Sequence, residues 1–154
     1  MSKKKRQSSG LWRFVFLLYI ALLLLLLFYR EKAVINGASY TESLKQNFIW
    51  KPFYTIKNYM YVILHNPDSP YYRHCFINIV GNIVMFIPVG VLFPKSSPRA
   101  RTFFRYIGSS LFFVLLVETV QLFTLRGVFD TGDIILNGIG LTLGFIIYKC
   151  FFRK

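Results

Sequence analysis

Eight side chains able to donate or accept strong hydrogen bonds stand in or beside stretches of sequence that are otherwise apolar: Asn78, Asn82, Glu118, Gln121, Arg126, Asp130, Asp133 and Asn137. Placing an ionisable group at the centre of a lipid bilayer costs roughly 2.5–3.5 kcal/mol or more, so Glu118 must be protonated, hydrogen-bonded or paired. Gln121, Asn82 and Asn137 are candidate hydrogen-bond partners. Arg126 lies eight residues on, ~12 Å by helical rise, so an ion pair would need both side chains to reach, at least through water. Taken singly, such groups are interhelical glue contributing about 1 kcal/mol each. Taken together they describe a receptor: a guanidinium for phosphate or carboxylate, carboxylates for cationic or hydroxyl groups, and amides with Glu118 as a floor. Two further chemistries are open. Glu118 could act as a general acid or base, and Asp130 with Asp133 are weak candidates for a divalent cation, although paired acids at a helix entrance ordinarily complement the helix dipole.

The elements that must carry these residues are apolar runs at 11–29, 76–93, 106–125 and 134–152, each near the ~20 residues that cross ~30 Å of hydrocarbon. At 100° per residue, Asn78 and Asn82 share a stripe with Gly81 and Met85. Glu118 and Gln121 share a face, and Asp133, Asn137, Gly140 and Gly144 form a third stripe that runs from polar groups into a Gly-xxx-Gly contact. Pro88 removes one helical donor and predicts a kink. If spans two and four enter from the side to which span three exits, all three carry their polar groups in one layer, with Arg126, Asp130 and Asp133 in the connection above it.

Composition supports a membrane setting. The chain has 154 residues, 55% apolar and 16% charged, with 19 cations against 6 acids. Four spans place 12 of the 19 cations on one side, at 3–6, 13, 95–105 and 149–154, with no acid among them. The positive-inside rule then puts both termini and residues 94–105 in the cytoplasm, and residues 30–77 and 126–133 outside. This distribution accounts for the cations without nucleic acid. Residues 1–10 read as a basic cytoplasmic tail and 11–29 as an uncleaved anchor, since no small-x-small site follows.

Residues 30–75 form an exterior segment in which Phe53, Ile56, Met60, Ile63 and Leu64 recur at helical spacing. An interfacial or re-entrant helix at about 52–65 is predicted, with Pro52 in its first turn and aromatic residues at headgroup depth. The predicted fold is an all-α integral membrane protein with four transmembrane helices plus this exterior amphipathic helix. His65 and His74 are isolated, and Cys75 and Cys150 fall at opposite ends of their spans, which disfavours a disulfide. Neither soluble-enzyme motifs nor a cofactor signature are found.

The stretches NIVGNIVMFIPVGVLFP (78–94) and ETVQLFTLRGVFDTGDIILNGIGLTLG (118–144), with KPFYTI (51–56) more weakly, resemble the VanZ-like family of small bacterial membrane proteins. The resemblance covers most of residues 52–144, and the three-helix core at 76–152 carries it. Its pattern-bearing positions are Asn78, Asn82, Phe86, Pro88, Gly90, Glu118, Gln121, Arg126, Asp130, Asp133, Asn137, Gly140 and Gly144, with no departure at any of them. The resemblance implies a bacterial plasma-membrane protein of the cell envelope, because the family's namesake is associated with lowered susceptibility to teicoplanin, a lipid-tailed glycopeptide. It carries no activity across.

Three functions follow as expectations. The first is a binding protein whose outward pocket engages membrane lipid, a cell-wall precursor or a lipoglycopeptide. The second is an enzyme acting on a lipid-linked substrate through Glu118. The third is a small transporter, for which four spans would call for a homo-oligomer.

Overall fold

The computed structural model describes residues 3–29 and 37–152, with side chains from residue 10 onward. The side chains of the basic cluster at 3–6, and the charged residues at 30–32 and 153–154, lie outside the described residues. Four helices are long and apolar enough to cross a membrane: α1 (Lys3–Phe28), α4 (Tyr72–Ser96), α5 (Phe103–Phe123) and α6 (Thr131–Phe151). With the shorter α2 (Tyr40–Gln46) and α3 (Tyr54–His65) they make an all-α, multi-pass architecture. Apolar segments of this length in lipid must satisfy every backbone group internally, which is what a helix does. Pro88 and Pro94 both sit inside α4, which stays one helix.

The seam between α4 and α6 is the tightest among the described residues. A Cβ placed on Gly90 would come 2.5 Å from the Leu141 carbonyl oxygen and 2.7 Å from Gly144 Cα, while one on Gly140 or Gly144 would collide with the carbonyls of Ile83 or Ile87. Hydrogen in place of a methyl group is therefore what lets the two backbones touch, the small-residue logic of membrane helix pairs. Because contacts climb both helices together, from 82 with 133 to 90 with 144, α4 and α6 run parallel.

Helix α1 is more than a tether. Leu23 and Leu27 are buried in the core it shares with Phe86, Val114 and Leu141. The Tyr19 hydroxyl donates to the Met85 carbonyl at 2.8 Å, on the stretch of α4 that Pro88 interrupts. The lower core, toward the C-terminal end of α4, is aromatic: Tyr106 stacks on Phe145 with centroids 4.4 Å apart, and its hydroxyl donates to Leu141 O at 2.8 Å. Cys75 and Cys150 are both free thiols.

Residues 40–71 cap the other end. Ser39 and Glu42 form a reciprocal capping box that starts α2. The chain then lays β1 (Phe48–Ile49) parallel to β2 (Phe129–Asp130), in the register Phe48↔Phe129 and Ile49↔Asp130. Pro52 lies in the turn before α3 rather than in its first helical turn, since Phe53 takes left-handed backbone (φ 62°) and delays the helix to Tyr54. Helix α3 has two apolar faces: Ile56, Tyr59 and Ile63 are half-buried against the bundle, whereas Phe53, Met60 and Leu64 are exposed.

Candidate functional site

Between this cap and the helix ends lies a cavity of about 230 Å³ whose polar wall comprises Tyr59, His74, Asn78, Arg126, Asp130 and Asp133. Five parts of the chain contribute, because Ile49 of β1 and Thr55 of α3 also line it. Each wall residue is held by local structure. Helix α5 ends in a Schellman turn, with Leu125 N–H donating to Leu122 O and Arg126 N–H to Gln121 O, both at 3.0 Å. Leu125 takes the left-handed position (φ 53°) in that turn, which glycine usually fills, and its burial offsets the steric cost. Arg126 is thereby turned off the helix axis toward the cavity. Asp130 is the N-cap of α6, its Oδ1 accepting from Gly132 N–H at 2.7 Å. One turn further, Asp133 accepts from Asn82 Nδ2 at 2.7 Å, and the same amide also donates to Asn78 Oδ1 at 3.3 Å. An amide on α4 is thus pinned to a carboxylate on α6 directly above the glycine seam.

The fourth side of the cavity was not anticipated as functional. The Tyr59 hydroxyl lies 3.3 Å from His74 Nε2, with the two rings edge-on at 5.7 Å, so α3 and α4 close the wall jointly. A signal for His74 is present in the sequence: positions 74, 78 and 82 are spaced by four and lie on one face of α4. Thr55 and Tyr59 carry no such mark, being polar groups in an already polar stretch.

A second, larger space of about 420 Å³ adjoins the first and shares His74 and Asn78 with it. It runs along α4, past Arg73, Ile77, Gly81, Asn82 and Met85. The stripe expected from helical spacing is its floor.

Of the eight residues singled out by sequence, Asn78, Arg126, Asp130 and Asp133 line the smaller cavity, and Asn82 lines the larger while holding Asp133. The other three line neither. Gln121 is 4% exposed and donates through Nε2 to Leu27 O at 3.0 Å, so it ties α5 to α1 instead of flooring the pocket. Glu118 and Asn137 are 4% and 2% exposed, below the cavities in the interhelical layer. Asn137 lies on the α6 stripe between Asp133 and Gly140, and its Oδ1 has no hydrogen-bond partner among the described residues. Among the described residues, no three His, Cys, Asp or Glu side chains converge as a metal site would require. The arrangement can bind a ligand that is anionic on one side and hydroxylated or cationic on the other.

A family model described as VanZ/LLP1 matches residues 16–153. The match starts inside α1, well before residue 52, which accords with the packing of that helix in the core. No curated protein and no solved structure matches the chain.

Proposed function

The chain belongs to the VanZ/LLP1 family, and from that premise we propose that it is a binding protein of the bacterial plasma membrane. Its polar cavity faces outward and takes the headgroup of a lipid, a cell-wall precursor or an amphiphilic glycopeptide, and through that binding it lowers susceptibility to teicoplanin. The observation that carries this reading is the convergence of Asn78, Arg126, Asp130 and Asp133 from three separate parts of the chain on one space of about 230 Å³. The outward direction rests on the positive-inside rule, since Lys95, Arg99, Arg101, Arg105 and Lys149 all belong to the far end.

An acid–base enzyme would need Glu118 at the reacting atoms, and neither cavity is lined by it. Binding is therefore the better-supported function. The test is teicoplanin susceptibility of a susceptible bacterium expressing the chain. Wild type raises the inhibitory concentration, while Arg126→Ala and Asp133→Ala return it to the control value at equal membrane levels of protein. Full protection from both variants would sink the proposal.

A further inference from the structure

Helix α4 carries two glycines with opposite surroundings. Gly90 is packed so closely on α6 that no side chain fits, whereas a Cβ on Gly81 would meet nothing but Ile77 of its own helix, at 4.0 Å. A helical glycine costs about 1 kcal/mol relative to alanine, a cost that packing offsets at Gly90 and that no helix contact offsets at Gly81. What its bare backbone does is leave open the space of about 420 Å³ along α4.

That space is graded along its length. At its upper end stand Arg73 and His74, the second and third residues of α4, whose N-terminus has no side-chain cap. The partial positive charge of the uncapped turn adds to the guanidinium there, which favours an anion. Below Asn78 the lining is Gly81, Asn82 and Met85, apolar but for the Asn82 amide that is engaged by Asn78 and Asp133, on a helix that reads as membrane-spanning. Sideways from the upper end, across the shared His74 and Asn78, lies the smaller cavity with its two carboxylates, Asp130 and Asp133. Asp130 accepts there from Gly132 N–H, and Asp133 from Asn82.

We propose that the two spaces are one amphiphile site, and that its occupant is a phosphodiester lipid with a hydroxylated headgroup. The phosphate sits against Arg73 and His74, the headgroup hydroxyls reach into the smaller cavity toward Asp130 and Asp133, and one apolar chain descends the groove over Gly81 and Met85. This rests on the cavity reading above and adds the ligand class and the path of its tail. A choline headgroup has no hydroxyl or N–H to donate to Asp130 and Asp133, so hydrogen bonding there favours a hydroxylated headgroup, and the groove over Gly81 and Met85 favours a lipid over a free headgroup.

The test uses the full chain in detergent, with native mass spectrometry to count retained lipid and thermal shift to read soluble headgroup. Wild type is expected to retain phosphatidylglycerol at least five-fold over phosphatidylcholine, and glycerophosphoglycerol is expected to raise its Tm. Gly81→Phe is expected to cut phosphatidylglycerol retention at least five-fold and to leave the glycerophosphoglycerol shift unchanged; Gly81→Leu, a smaller plug on the same open face, should give an intermediate loss. Equal retention of both lipids by wild type overturns the hydroxylated headgroup, and undiminished retention by Gly81→Phe overturns the tail path. Arg126→Ala separates the two readings. If it abolishes the glycerophosphoglycerol shift while Gly81→Phe keeps the lipid, the cavity stands without the groove; if it alters neither lipid nor headgroup binding, the cavity reading itself falls.

Discussion

The two ends of the helix bundle use the same kinds of charged residue for different ends. At the end where α4 and α6 finish, four cations are held by the protein itself, while Arg99 and Arg105 line a space of about 510 Å³. Arg13 Nε donates to Ser96 O at 3.2 Å, Arg101 Nε to Pro94 O at 3.3 Å and Lys149 Nζ to Arg101 O at 2.9 Å. The Lys95 ammonium lies 3.5 Å from the ring centroids of both Trp12 and Phe152. Each of these cations meets a backbone carbonyl at or beyond the C-terminus of α4 or the face of an aromatic ring, and the macrodipole favours those at the helix end. At the opposite end Arg126, Asp130 and Asp133 line open space. A net charge of +13 therefore says little about ligand binding by itself.

Both ends hang on one seam, so the strongest way to break the comparison is to pry that seam open. Gly144→Leu drives a branched side chain into the backbone of α4, at Ile87 and Gly90. Overpacking of this kind costs about 3 kcal/mol or more when backbones must part. We expect loss of the folded, detergent-extractable protein and of both the lipid retention and the cationic cap together. A Gly144→Leu protein that unfolded at the wild-type temperature would show that the glycine contact does not hold the ends in register.

Next in size is the bond that fixes the site end alone. Asn82→Leu removes the donor that holds Asp133 across the two helices. Hydrogen bonds to charged groups contribute about 1.5–3 kcal/mol in water-exposed proteins and nearer 1 kcal/mol in membranes, so a loss of about 1–2 kcal/mol is expected, with headgroup binding lowered as well. Lys95→Met is its counterpart at the other end. It keeps the aliphatic stem and removes the charge between two rings, for about 1–2 kcal/mol of stability, with headgroup binding unchanged. Thermal unfolding and glycerophosphoglycerol binding of the two variants read the contrast directly: if Lys95→Met weakens binding as much as Asn82→Leu does, the division of labour between the ends is wrong.

The same contrast explains what the sequence made legible. The four spans stand out because ~20 apolar residues in a row have few alternatives, and the amides and acids within them stand out because hydrocarbon disfavours them. Helical spacing correctly groups Asn78 with Asn82 and Asp133 with Gly140 and Gly144. It cannot say which neighbour a face meets: Gln121 shares a face with Glu118, yet its amide reaches α1 at Leu27 and not the pocket. Nor does a Leu-rich run reveal that Leu23 and Leu27 are core residues, since a run facing lipid looks the same. The cap was the least legible part. The β1–β2 pairing joins residues about eighty positions apart through backbone groups, and a capping box such as that of Ser39 and Glu42 says nothing about where its helix docks.

The smallest expected effect sharpens the comparison through acid. Hydrogen bonds from the Ser39 hydroxyl (2.6 Å) and backbone N–H (2.7 Å) hold the Glu42 carboxyl below its usual range. A depressed folded-state pKa means the cap stabilises α2 above the ordinary value of 4.5 and loses that contribution as pH falls through the folded-state value. Helix α2 is tied to the end of α5 by Tyr40, whose hydroxyl donates to Phe123 O at 2.9 Å, so fraying it loosens the rim of the site end. The far end has no carboxylate among the described residues of its loop and helix termini, and its Lys and Arg cations keep their charge throughout the acid range. Hydrogen exchange measured at pH 7 and pH 3.5, corrected for intrinsic rates, should therefore show protection lost in residues 40–46 and kept in residues 93–101. Glu42→Gln, which preserves an acceptor for the cap without a titrating group, should abolish that pH response of α2. A response that survives the substitution would move its origin away from Glu42.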